Sequence, residues 1–220
     1  MPSQLTVIEK ERLLKLAKSI GAKQKADQSS PIGRADRRRA LPLSFAQQRL
    51  WFLAQMEGVS EAYHIYRGVR LKGKLEVGAL RRALERIVER HEVLRTVFLS
   101  VEGEPVQQIQ GVEESRFQLR EEDLRGVKDG AGELDRMVRE ETRARFDLSR
   151  GPLIRGRLVR TGEQEHALLL TMHHIVSDGW SMGVLVRELS VLYGAYSQGG
   201  EDPMAELGIQ YADYAVWQRE

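Results

Sequence analysis

The sequence predicts an α/β protein, with a mixed β-sheet and packed helices in a two-layer sandwich. Two observations lead there. Segments that alternate polar and apolar residues are interleaved with segments whose apolar residues recur at helical spacing, and the strands are joined both by short turns and by whole helices. Strands connected in both ways give a mixed sheet with helices laid on it. With 220 residues, 41% hydrophobic and 30% charged, the chain is large enough to bury a core, as one large domain or two small ones.

Residues 1–20 place Leu5, Ile8, Leu13, Leu16, Ala17 and Ile20 among lysines and glutamates, an amphipathic helix that Gly21 ends. Residues 21–40 have no apolar period and read as a basic linker, so the folded domain is expected over 41–220. Ser44 to Met56 is apolar enough for a buried helix, and Tyr63 to Lys72 alternates as a strand. Residues 77–91 set Val77, Leu80, Leu84, Ile87 and Val88 on one face, opposite Arg81, Arg82, Glu85, Glu89 and Arg90, the clearest amphipathic helix in the chain. Leu94 to Ser100 and Pro105 to Ile109 flank Glu102-Gly103-Glu104 as a hairpin. A charged helix follows over 129–145, then a second hairpin of Leu153 to Arg160 and His166 to Met172 around Thr161-Gly162-Glu163. A last helix from Ser181 is expected to bury Met182, Leu185, Val186, Leu189, Leu192 and Tyr193 and to end at Gly199-Gly200. There is no internal repeat.

The net charge of +2 conceals an asymmetry: residues 1–40 carry ten Lys/Arg against four Asp/Glu, and the remainder is acidic by four. Arg37, Arg38 and Arg39 have no aromatic residues between them on which bases could stack, which favours a solvated linker over a nucleic-acid arm. The absence of cysteine excludes disulfides, thiolate metal sites and cysteine nucleophiles. Apolar runs such as Ala167 to Met172 fall far short of the roughly 20 residues that cross a bilayer, and the first residues lack a basic and an apolar leader region. A cytoplasmic protein without membrane or nucleic-acid partners is expected.

Chemistry is concentrated in Leu168-Leu-Leu-Thr-Met-His-His-Ile-Val-Ser-Asp-Gly-Trp-Ser181, where a buried strand runs through two histidines into a loop and a helix. Neighbouring strand residues point to opposite faces, so only one of His173 and His174 can face a given cleft. A histidine there suits proton transfer near neutral pH. Adjacent histidines on opposite faces make poor co-ligands with Asp178, which disfavours a metal site. No G-x-S-x-G elbow is present for a serine hydrolase. A structural histidine pair remains the plain alternative, weakened by the Asp, Gly and Trp that crowd the same loop.

His173-His174-Ile175-Val176-Ser177-Asp178-Gly179 resembles the HHxxxDG signature of condensation domains of nonribosomal peptide synthetases, relatives of chloramphenicol acetyltransferase. Three further segments match in the family's order: Leu43-Ser44-Phe45-Ala46-Gln47-Gln48-Arg49-Leu50-Trp51-Phe52-Leu53, Arg90-His91-Glu92-Val93-Leu94-Arg95-Thr96-Val97-Phe98, and Tyr211-Ala212-Asp213-Tyr214-Ala215-Val216-Trp217-Gln218. The resemblance implies the N-terminal subdomain of a chloramphenicol acetyltransferase-like fold over 41–220. It implies peptide-bond formation in secondary metabolite and antibiotic biosynthesis, the amine of an acceptor aminoacyl thioester attacking a donor thioester. Non-catalytic docking of carrier proteins is the rival reading, and epimerisation and ester-forming domains are related alternatives.

In the residue roles so implied, His174 is catalytic, and His173, Asp178, Gly179 and Arg95 support it. Asp178 is expected in a buried ion pair, with Arg95 the preferred partner and Arg90 and Arg49 behind it. Gly179 lets the pantetheine arm approach the backbone. Trp180 is read as core ahead of tunnel lining, Ser181 as a lining residue. His91, Tyr211, Asp213 and Trp217 are read as structural, and His64 and His166 carry no functional signal. No metal or bound cofactor is implied, because substrates arrive on the 4′-phosphopantetheine of carrier domains. The expected partners are donor and acceptor peptidyl carrier domains, the C-terminal half of the condensation domain and a neighbouring adenylation domain.

Overall fold

The structure is a computed structural model and describes residues 32–56, 63–115 and 117–220. The helix expected over 1–20 and the linker up to residue 31 lie outside the described residues. One compact unit spans Ile32–Glu220. Its elements are β1 (Leu41–Pro42), α1 (Phe45–Ala54), β2 (His64–Lys72), α2 (Val77–Arg90), a 3-10 turn (Glu92–Arg95), β3 (Thr96–Val101), β4 (Glu104–Ile109), β5 (Leu119–Asp123), α3 (Gly130–Arg143), β6 (Ile154–Gly162), β7 (Glu165–His173), α4 (Gly179–Tyr196) and α5 (Tyr211–Trp217). Among the described residues no helix is long and apolar enough to cross a membrane.

The expected α/β fold with a mixed sheet and packed helices is observed, with the strands divided between two sheets. The larger has the order β2-β7-β6-β5; β7 pairs antiparallel with β2 and β6, while β5 runs parallel to β6. The smaller, β1-β4-β3, is antiparallel throughout. The first hairpin thus stands apart from the second. It closes through Glu102 and Gly103, both with positive φ (53° and 87°), the backbone twist that a two-residue hairpin turn requires.

Two of the elements follow directly from residue spacing. In α2, Leu80, Ala83, Leu84, Ile87 and Val88 are buried at i, i+3, i+4, i+7 and i+8, packing against Met182, Leu185 and Leu192 of α4 and against Leu168, Leu170 and Met172 of β7. The alternate residues of β7 face the other way, where Leu169 joins Leu124, Val159 and Met137 of α3 in a second cluster. Helix α1 departs from expectation: Phe45 and Phe52 are exposed, and only Gln47 and Leu50 of its residues are buried. In α4, likewise, Val186 is exposed. Strand β5 was not expected from its sequence, Leu-Arg-Glu-Glu-Asp, because an edge strand whose single buried residue is Leu119 shows no alternation.

The N-terminal boundary also moves. Arg37 belongs to the fold instead of a solvated linker: its guanidinium meets Asp213 Oδ1 at 2.5 Å and Glu92 Oε2 at 2.7 Å. Asp213 is fully buried and also accepts the N–H groups of Ala35 (2.9 Å) and Gln210 (2.7 Å). Burial pushes its carboxyl up, and Arg37 with these two N–H groups outweighs that and holds it below the usual carboxylate range. Arg34 adds bonds to the carbonyls of Gly208 and Leu207. This cluster ties the segment before β1 to α5. Replacing Asp213 by Ala leaves Arg37 with Glu92 as its one carboxylate partner and strands the N–H groups of Ala35 and Gln210, and is expected to cost about 3 kcal/mol, read as a lowered melting temperature of the protein.

Candidate active site

Strand β7 delivers the two histidines. His173, its last residue, is fully buried, donates its N–H to Leu153 O (3.0 Å) and pairs in register with His64 of β2. His174 begins a turn in which Val176 N–H returns to His173 O at 3.1 Å, and its own N–H is taken by Tyr63 O at 2.8 Å. The strand is therefore anchored on both edges up to the residue where it turns. As strand alternation predicts, the two rings part: His173 points inward and His174 is exposed.

Burial, then the neighbouring His64 and His174, lower the His173 pKa to about 4, so the ring is neutral. Its Nδ1 accepts the Ile175 N–H at 3.1 Å. An acceptor at Nδ1 places the proton of a neutral ring on Nε2. His173 meets Phe146 and His64 edge-on, at centroid distances of 6.1 Å each.

Asp178 contradicts the expected buried ion pair. It is exposed, and it caps α4, accepting the Ser181 N–H at 2.7 Å and the Ser181 hydroxyl at 2.6 Å. These hydrogen bonds, with His174 a smaller contribution, hold its carboxyl below the usual range. The end of a long helix satisfies the carboxylate without a cation. Arg95 lies elsewhere, its guanidinium donating to the carbonyls of Gln110 and Glu89, while Arg90 is buried against Glu188 and Ala205 O, and Arg49 is exposed. Ser181 accordingly serves the cap.

Gly179 opens α4, and a Cβ built there meets nothing within 4 Å, so its own fold does not demand glycine. Trp180 follows with 82% of its surface exposed, which overturns its reading as core. The other matched segments converge nearby as scaffold. Ser44 and Gln47 form the capping box of α1, and Ser44 Oγ lies 3.0 Å from the Tyr211 hydroxyl, whose pKa burial raises against the lowering effect of that hydrogen bond. His91 Nε2 sits 2.6 Å from Glu188 of α4, and Trp217 is exposed beside Tyr214. His64 is what sequence reasoning missed. Nothing in its local sequence marks it, and only the register of β2 on β7 brings it beside His173.

The turn after β7 thus leaves His174 exposed at the end of a central strand, next to the buried, neutral His173 and shortly before the start of α4. The family model for the condensation domain matches residues 37–220, and the chain belongs to this family, that of nonribosomal peptide synthetase condensation domains. It is 51% identical over 194 residues to malpibaldin synthetase of Mortierella alpina and 43% identical over 189 residues to the dimodular nonribosomal peptide synthase of Bacillus subtilis. These alignments cover 88% and 86% of this chain but only 4% and 8% of those proteins. The X-domain from teicoplanin biosynthesis is similar at 33% identity and a TM-score of 0.74, over 86% of this chain and 40% of that one. The starter condensation domain of rhizomide synthetase shares the fold, with a TM-score of 0.75 at 20% identity, over 82% of this chain and 43% of that one.

Two outcomes follow from the geometry. The folded state keeps His173 neutral down to about pH 4, whereas the unfolded chain binds the proton from 6.5 downward. Stability is therefore expected to fall by about 3 kcal/mol through this one group as pH drops across that window, and His173→Phe, which cannot titrate, to lose that part of the acid sensitivity in denaturation at pH 7 and pH 4. Asp178→Ala removes a helix cap with no buried cation left behind, so it is expected to cost about 1 kcal/mol in a thermal melt.

Proposed function

We propose that this chain is the N-terminal half of a condensation domain that forms peptide bonds between carrier-bound substrates, with His174 as its catalytic residue. The observation that carries this reading is the turn after β7, which exposes His174 beside the open start of α4 while burying His173. The amine of the acceptor aminoacyl group attacks the donor thioester carbonyl. The tetrahedral intermediate then collapses with cleavage of the carbon–sulfur bond, and the pantetheine thiol leaves with the proton the amine has lost. His174 takes that proton, or orients the amine and stabilises the intermediate. The thioester is already activated, so positioning supplies much of the acceleration.

The substrates arrive on the 4′-phosphopantetheine arms of donor and acceptor carrier domains, loaded with the help of an adenylation domain, and this chain holds no cofactor of its own. Open space at Gly179 supports approach of an acyl-pantetheine group to the start of α4. Exposed Trp180, Phe45, Phe52 and Trp217 support contact with the C-terminal half of the domain and a wall of the substrate tunnel. The solved chains in this fold are more than twice as long as the part aligned here, which supports the same reading.

A second reading, a partner-docking module, draws on a relative at 32% identity, an X-domain whose structure was determined in complex with OxyB. A condensation assay with loaded donor and acceptor carriers separates the two. His174→Ala in the parent synthetase is expected to lower turnover by about 100-fold or more with carrier binding unchanged. Undiminished product formation by that variant overturns the catalytic assignment and favours the docking module.

A further inference from the structure

The start of β2 holds both histidines of the motif. Tyr63 O takes the His174 N–H, and the next residue, His64, is the register partner of His173. The His64 ring lies 5.0 Å from Phe146, edge-on, and its Nδ1 is 3.1 Å from Thr142 O at the end of α3. A carbonyl can only accept, so His64 carries its proton on Nδ1. His173 accepts the Ile175 N–H at Nδ1 and so carries its proton on Nε2. Backbone groups thus hold the two Nδ1 atoms in opposite roles, His173 accepting from the turn that carries His174 and His64 donating to the end of α3. Phe146 closes the triangle of rings, with the Arg155 guanidinium over the Phe146 ring, 3.7 Å from its centroid.

We propose that His64 and His173 are a pair of positioning residues for His174: hydrogen bonds at their two Nδ1 atoms, to Thr142 O and from Ile175 N–H, lock the start of β2 and the turn after β7 in the arrangement that presents the catalytic ring. This rests on the catalytic assignment of His174. A bond from the ring of residue 173 to the N–H of residue 175 closes a ring through the two peptide units that flank the His174 Cα, and so fixes the backbone on both sides of that residue. Misplacing a catalytic group by an ångström costs about 100-fold in rate. The pair acts through His174 and has no contact with substrate of its own.

Asn and Phe substitutions separate the hydrogen bond from the ring. Asn places an amide oxygen or nitrogen where Nδ1 stood and removes the ring; Phe keeps the ring and removes the bond. The experiment measures kcat and KM for carrier-loaded acceptor, together with melting temperature, in the full-length parent synthetase carrying His64→Asn, His64→Phe, His173→Asn or His173→Phe. The expected result is a fall in kcat of about 10- to 100-fold for the Phe variants at unchanged KM, with the Asn variants within about fivefold of the parent. The reverse order, active Phe variants and inactive Asn variants, makes the rings packing elements only and overturns the proposal. Should His173→Phe fail to fold, the His64 pair decides in the same way. His174→Ala is assayed alongside: if it retains full turnover the catalytic reading itself fails, and if it is inactive while the Asn and Phe ranking is reversed, only the positioning role fails.

Discussion

The site depends on the pairing of β7 with β2 on one edge and β6 on the other. A strand held on both edges cannot rotate about its axis, so the alternation of its side chains is enforced to its last residue. At that residue the alternation separates two identical rings into different environments. One is buried, neutral and bonded to backbone; the other is exposed at the turn. A shift of one residue in either pairing would exchange them. The apolar residues Leu168, Leu170 and Met172 on one face and Leu169 on the other specify the register, since any slip would move them out of their clusters.

Around this strand the matched segments have different physical duties. Ser44 and Gln47 cap α1, Arg90 and His91 grip Glu188 of α4, and Asp213 gathers Arg37, Ala35 and Gln210. None of these groups reaches the turn at His174. They fix the helices and the N-terminal segment relative to one another, and through α4 they set where the open helix start lies against the exposed histidine. The buried charges Arg90, Asp213, Glu141 and Arg157 each meet an opposite charge, as the desolvation cost of an ion demands.

The hairpins, α2 and the strand-to-turn placement of the two histidines were legible because each rests on local periodicity or turn chemistry. The exposed faces of α1 were not. Phe45 and Phe52 look like core in a linear reading, yet exposure depends on what lies opposite a helix. Strand β5 was missed because its neighbours, not its residues, make it a strand. Asp178 was misread for a different reason: a carboxylate in a loop before a helix can be satisfied by a cation or by the helix itself, and its Ser181 N–H and hydroxyl partners sit only three residues away. Arg95, chosen for its chemistry, is committed to the carbonyls of Gln110 and Glu89.

By itself the sequence determined the family, the order of most elements and that only one of the two histidines faces outward, since these follow from motif spacing and the period of two along a strand, while the resemblance pointed to His174. Only the tertiary structure decided that Asp178 is a cap, that Arg37 belongs to the fold and that His64 stands behind His173. Each of those facts joins residues far apart in the chain or chooses among several partners of equal chemistry. Strand register and helix packing, which spacing along one segment does not encode, make that choice.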